Sequence, residues 1–220
     1  MKILALDFSS TLRSVALRAE ESTPILEVVD TTAGRDMKPF ALIESVLRQA
    51  GLEREAVEAL VIGIGPGSYT GIRVAISLAQ GWQLATGVKL LATSSVAAIA
   101  AQAVSAGVTG RFDVVIDAQR GEFYRAGYEA SRAGTVEIAP VQLATRAEVE
   151  AGARSGNLLV GPEVTRWFPQ GKLFFPHAAS LASLAAGRSD FLRGEELEPI
   201  YLRETTFIKA PPARVLPESS

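Results

Sequence analysis

Two carboxylates, one glycine-rich loop and a single histidine are the residues of this 220-residue chain whose types and spacing could do chemistry. Asp7 closes the apolar run Leu4-Ala5-Leu6, and Asp117 closes Val114-Val115-Ile116. Each is followed by a turn and then a second strand, Ser14-Val15-Ala16-Leu17 in one case and Phe123 to Tyr128 in the other. A carboxylate at the end of a buried strand can organise a metal ion or a phosphate. It can equally cap its own turn by accepting from nearby amides. The turns weigh on the choice, because a phosphate grip needs glycine so that amides can approach the anion. The stretch Phe8-Ser9-Ser10-Thr11-Leu12-Arg13 has none, and Ala118-Gln119-Arg120-Gly121 has one. Both are poor phosphate cradles, and Asp7, Ser9 and Asp117 read as degenerate nucleotide-loop positions.

The strongest glycine cluster is Gly65-Pro66-Gly67-Ser68-Tyr69-Thr70-Gly71, between an apolar strand and a helix start where anions can bind. No lysine follows the last glycine, so it is not a P-loop, and the third glycine of a dinucleotide fingerprint is missing. Spacing favours a tight turn with Ser68 or Thr70 capping the helix. The sole histidine, His177, follows Pro176 and reads as a solvated loop residue. With one histidine and no cysteine, a multi-histidine metal site, an HExxH peptidase, a cysteine nucleophile and disulfides are all excluded. No G-x-S-x-G elbow supports a serine triad. A two-metal nuclease would need Asp7, Glu44 and Asp117 to converge, and Glu44 sits on a polar helix face.

The elements that must position these residues repeat. Lys2–Asp7, Ser14–Arg18 and Ile25–Asp30 read as antiparallel neighbours joined by short linkers. A helix at 39–50 begins with Pro39, has Asp36 as a plausible cap and stops at Gly51. Ala59–Ile64 reads as a buried parallel strand, 72–85 as a helix, 90–92 as a strand and 94–106 as a helix bridging two halves. The second half restarts about 110 residues after the first. Its strands are 113–117, 121–129 and 135–139, followed by a helix at 145–152 capped by Thr145 with Glu148, a strand at 157–161 and a helix at 178–187. This period is far longer than a solenoid repeat, so the chain reads as a duplicated α/β domain, a mixed sheet flanked by helices in each half. The halves are 1–106 and 107–220, the second ending in a proline-rich, loosely held tail.

Helix 39–50 is amphipathic, with Phe40, Leu42, Ile43, Val46 and Leu47 on its packing side. Helix 72–85 is apolar nearly all round: Val74, Ala75, Leu78, Ala79, Trp82 and Ala85 are assigned to the core. The opposite side carries Ile72, Arg73, Ile76, Gln80, Gln83 and Leu84. A helix apolar on both sides is covered either by the rest of the chain or by a partner protein, for which these residues would be the interface. A net charge of −2 is not that of a protein holding RNA through phosphates alone, so work on nucleic acid would call for a partner. Asp7 interrupts the apolar start too early for a signal peptide, and polar residues break the stretch 72–88, so a soluble cytoplasmic protein without a membrane segment is expected.

Four segments occur together in an order that resembles one family. They are Leu4–Asp7, Gly63–Arg73, Val115–Tyr124 and Pro199-Ile200-Tyr201-Leu202-Arg203. The chain is similar over nearly its whole length to the bacterial tRNA threonylcarbamoyladenosine biosynthesis proteins of the TsaB (YeaZ) family, most specifically through Gly65–Arg73. The resemblance implies a two-lobed actin-like, Hsp70-like (ribonuclease-H-like) ATPase fold without catalytic residues of its own. It implies a scaffolding role beside the catalytic subunit TsaD and the ATPase TsaE in modifying adenosine next to the tRNA anticodon. It also implies a homodimer when TsaD is absent, contact with tRNA only through the complex, no tightly bound cofactor and no metal. ATP or ADP would then have a place only at the interface with partners. The alternative is a stand-alone ATPase or small-molecule kinase using Asp7 and Asp117 across the cleft.

Overall fold

Alternation along the first strands settles which residues meet which helix. The computed structural model describes residues 1–20, 22–32 and 38–202. Strand β1 (Ile3–Asp7) pairs antiparallel with β2 (Arg13–Arg18), which pairs antiparallel with β3 (Leu26–Asp30). On its other side β1 runs parallel to β4 (Ala59–Gly63), and β4 runs parallel to β5 (Lys89–Thr93). Leu4 and Leu6 point to one face of this sheet, Ile3 and Ala5 to the other, as the period of two requires.

The Leu4 face is covered by α1 (Pro39–Ala50) and α2 (Tyr69–Thr86) through Ile43, Val46, Leu47, Ile72, Ala75, Ile76 and Ala79. Pro39 opens α1 and Gly51 ends it in the left-handed conformation. Lys38 precedes α1 without a side-chain cap. The expected cap Asp36 lies outside the described residues, as does the proline-rich tail after Leu202. Ser68 caps α2 by accepting from the Gly71 amide at 3.3 Å, so this helix begins three residues earlier than its apolar pattern suggests.

The second half repeats the topology. Its strands are β6 (Gly110–Asp117), β7 (Glu122–Ser131), β8 (Gly134–Thr145), β9 (Leu158–Gly161) and β10 (Lys172–Leu173). The first sheet has the order β3-β2-β1-β4-β5 and the second β8-β7-β6-β9-β10, with matching directions. The α4 helix (Arg146–Arg154) opens with the expected capping box of Thr145 and Glu148. Val149 of α4, with Val164 and Phe168, covers one face of this sheet over Val115, Phe123 and Leu159.

Two helices lie between the sheets, and the chain crosses them over. Helix α3 (Ser95–Ser105), at the end of the first half, packs Val96, Ile99, Ala100 and Ala103 mainly on Phe112, Val114 and Ile116 of the second sheet. Helix α5 (Ala178–Leu184), from the second half, packs Ala178, Leu181, Ala182 and Ala185 on Ile3, Ala5, Ala16, Ala59 and Val61 of the first. Alanine on both sides of that contact brings helix and sheet close. A division at residue 106 therefore describes the repeat in sequence, whereas each sheet is covered partly by the other half's helix.

The segment after α5 also returns to the first sheet. Leu192 bridges to Leu90, Leu197 is buried beside α2, and the Ile200 amide donates to the Ile64 carbonyl at 2.9 Å. This strap crosses α2 at Gly194. Gln83 Oε1 accepts from the Gly194 amide at 2.7 Å, and Gln80 Nε2 donates to the Gly194 carbonyl at 2.9 Å.

The burial of α2 corrects the face assigned to it from sequence. Ile72 and Ile76 lie in the core, Ile76 only 6% exposed, and Gln80 and Gln83 are occupied by the strap. Leu78, Trp82 and Val74 are half-buried at the edge, and Ala85 is exposed. An all-round apolar helix has no hydrophobic contrast to fix its rotation. The observed rotation puts Gly71 against the first turn, where a Cβ would run into the Phe8 carbonyl oxygen, and turns Gln80 and Gln83 to the strap.

Candidate functional site: the cleft between the halves and the face of α1 and α2

The two strand-ending aspartates do different things at the cleft between the halves. Asp7 is fully buried and does not line it. Its Oδ1 accepts from the Ser9 amide at 2.9 Å and from the Ser9 hydroxyl at 2.7 Å, and its Oδ2 accepts from Ser95 Oγ at 3.3 Å. Burial pushes its carboxyl above the ordinary value, against the pull of the Ser9 and Ser95 bonds. The carboxylate thus ties the first turn to the start of α3. Asp117 does line the cleft, where its Oδ1 accepts from the Gln119 amide at 2.8 Å, the turn-capping arrangement. Gln119 and Arg120 hold this turn in the left-handed region with φ of 65° and 58°.

The glycine loop is spent on packing. The Ser68 amide donates to the Ser9 carbonyl at 2.6 Å. A Cβ on Gly67 would strike that same carbonyl oxygen. Glycine here lets the loop close on the first turn, and the Ser68 amide is taken up by the Ser9 carbonyl. Ser9 is buried in this junction.

The cleft itself, about 490 Å³, is lined by Ser10, Thr11, Ser68 and Tyr69 on one side and by Asp117, Gln119 and Glu163 on the other. At its mouth the exposed rings of Tyr69 and Tyr201 stack at 5.7 Å, with the Arg73 guanidinium 3.7 Å from the Tyr69 centroid. Arg73 is exposed, but these rings occupy it. Among the described residues no group of three or more His, Asp or Glu side chains is placed to hold a metal ion. Glu44 does not join the aspartates; it pairs with Arg54 at 2.5 Å on the surface.

His177 is half-buried, not solvated as its loop position suggested. Its Nδ1 lies 2.9 Å from Glu27 Oε2, and the Glu27 hydrogen bond raises the imidazole above its ordinary value. Glu27 is held low by the His177 bond and by the Ala179 amide, against its own burial. A sequence signal existed: Glu27 stands opposite Ala16, in register with a face that is otherwise apolar.

A mainly apolar opening lies on the outer side of α1 and α2. It is a groove of about 440 Å³ lined by Phe40, Ile43, Leu78, Gly81, Trp82 and Ala85, among others. Phe40 is 63% exposed and Leu84, one turn beyond Gln80, is 91% exposed. Phe40, Leu78 and Trp82 were assigned to packing by their periodicity, and the small residues Ser77, Gly81 and Ala85 at four-residue spacing were the overlooked sign of an open face. Among the described residues no helix is long and apolar enough to cross a membrane.

Comparison with known proteins places this arrangement. Residues 40–191 match the family described as TsaD: tRNA N6-adenosine threonylcarbamoyltransferase. The tRNA threonylcarbamoyladenosine biosynthesis protein TsaB of Escherichia coli is 25% identical over 97% of this chain and 100% of that protein. TsaB of Haemophilus influenzae is 34% identical over 56% of this chain, a match spanning 52% of that protein. YeaZ from Pseudomonas aeruginosa superposes with a TM-score of 0.77 at 27% identity, covering 91% of this chain and 99% of that one. A second Pseudomonas aeruginosa structure, described as similar to peptidase YEAZ, gives 0.79 at 26% identity over 92% and 99%. With its two equivalent sheets, this fold is the actin-like, ribonuclease-H-like one, and the chain belongs to the TsaD family, in the bacterial TsaB (YeaZ) group within it.

Proposed function

We propose that this chain is a non-catalytic subunit for threonylcarbamoyladenosine (t6A) modification of tRNA, docking on the catalytic protein TsaD and working with the ATPase TsaE. The observation that carries the proposal is the open groove between α1 and α2, lined by exposed Phe40 with Leu78 and Trp82. Apolar residues left uncovered at this size and rimmed by polar groups mark a protein interaction surface. The names of the TsaB relatives supply the pathway.

A role without chemistry is supported by what the candidate positions at the strand ends and the glycine loop do within this chain. Asp7 is consumed by Ser9 and Ser95, the loop amide of Ser68 by Ser9, and Asp117 by its own turn. The docking surface is Phe40, Leu78, Trp82 and Ala85, with exposed Leu84 on the same helix; Ile72 and Ile76 support it from beneath. The same face would serve a homodimer when TsaD is absent, so the two assemblies compete. In this reading the protein is cytoplasmic, meets tRNA only within the complex, and meets ATP or ADP only where partners join.

Co-purification with TsaD tests it. Leu78→Glu should cut association by at least about tenfold, the loss of an interface anchor, while the variant stays folded. Undiminished binding by folded Leu78→Glu, or intact t6A in cells lacking this protein, would overturn the proposal.

A further inference from the structure

Helix α5 is held on the first sheet at its start by three hydrogen bonds, each from a different source. The Ala178 amide donates to Ser14 Oγ of β2 at 2.8 Å, and the Ala179 amide donates to Glu27 Oε1 of β3 at 3.1 Å. His177, immediately before the helix, meets the other Glu27 oxygen at 2.9 Å. Behind this contact the rest of the helix offers alanines and Leu181 to an alanine-rich sheet face. Such a face buries little area per residue, so the polar contacts at the helix start carry an unusual share of the attachment.

We propose that His177 is a proton-operated clasp that fastens α5, and with it the second half, to the first sheet. Two carboxylates among the described residues face the imidazole: Glu27 from β3 in direct contact, and Asp7 from the end of β1 through the field. The remaining polar groups of this junction are the hydroxyls of Ser14, Ser95 and Ser180 and the amide of Gln102 on α3. No fixed cation among these contacts neutralises Glu27, so the imidazolium is its counter-ion.

The direction follows from the two partners. The imidazole is raised in the fold, so its contribution is complete below the ordinary value of 6.5 and fades as pH rises through the folded value. Glu27 is lowered, so its contribution is present above the ordinary 4.5 and fades as pH falls through the folded value. The clasp is closed between those limits and opens on the alkaline side, as pH rises through the folded value of the imidazole. Asp7 extends the effect, because its field reaches the imidazole and it also holds the Ser9 turn at the cleft.

The test uses the full chain, in which His177 is the only histidine and its imidazole resonance is unambiguous. An NMR titration should place the imidazole above 6.5, and Glu27→Gln should move it downward. Hydrogen exchange at the α5 amides, corrected for intrinsic rates, should speed several-fold as pH rises through that titration, while β6 and β7 amides do not change. His177→Gln should show the same exchange at both ends of the range. An imidazole titrating at or below 6.5, or α5 protection that ignores the titration in the native protein, would overturn the proposal, whether or not either variant folds.

Discussion

Gln83 and Gly194 stand 111 residues apart in sequence and 2.7 Å apart across a hydrogen bond, the glutamine oxygen accepting from the glycine amide. That contact decides what α2 can show to another molecule. Gln83 also donates to the carbonyls of Leu192 and Val88 at 3.3 Å. With the strap in place, the free side of α2 is the one turned toward α1.

Gln83→Ala would leave the Gly194 amide and the Leu192 carbonyl without their partner. Buried groups orphaned in this way cost about 1–3 kcal/mol. Urea unfolding should show a midpoint lowered accordingly with an unchanged slope.

Ile76→Glu and Leu78→Glu should separate cleanly. Ile76 is 6% exposed within the cluster of Leu4, Leu6 and Ile62, and an unpaired charge there should cost more than about 3 kcal/mol. Leu78, at the groove edge, should tolerate the same change with a loss of about 1 kcal/mol or less. Circular dichroism melts of the two purified variants make the comparison.

How far the chain could be read in advance is instructive at α2. The succession of elements along the chain, their duplication, α1 and the Thr145–Glu148 cap were legible, because each rests on local signals: alternation, proline, glycine, a capping pair; the two-residue β10 was too short to leave one. The rotation of α2 was not, because Ile72, Ile76, Leu78 and Trp82 are equally apolar, and the contacts that distinguish them, Gly71 against Phe8 and Gln80 and Gln83 against Gly194, are tertiary. The strap was illegible for a related reason. Gln80 and Gln83 look like surface residues until a distant backbone arrives to satisfy them. His177 failed likewise, since its partner Glu27 is 150 residues away.

Gly71→Ala should therefore destabilise more than a helix-favouring change normally would. The added methyl meets the Phe8 carbonyl, so α2 or the first turn must shift, at a cost of about 1–3 kcal/mol. Thermal unfolding against the native protein is the check.

Asp7→Asn should be tolerated. Its carboxyl is raised by burial, so ionising it in the fold weakens stability as pH climbs from the ordinary 3.8 through the folded value. Asparagine keeps an acceptor for Ser9 and removes that charge. The variant should match or exceed the native protein at neutral pH, with the difference closing as pH falls toward 3.8. Asp7→Ala, which strands the Ser9 amide and hydroxyl, should lose about 2 kcal/mol or more. Urea titrations at several pH values distinguish them.

The most direct measurement of the central claim is t6A content in tRNA from cells whose own copy of this protein is replaced by Leu78→Glu, alongside a cell carrying Asp7→Asn. The account predicts that Leu78→Glu, folded but unable to dock, loses most of the modification, and that Asp7→Asn keeps it. Normal t6A with folded Leu78→Glu, or loss of t6A with folded Asp7→Asn, would contradict a docking role and point back to chemistry at the strand-end aspartate.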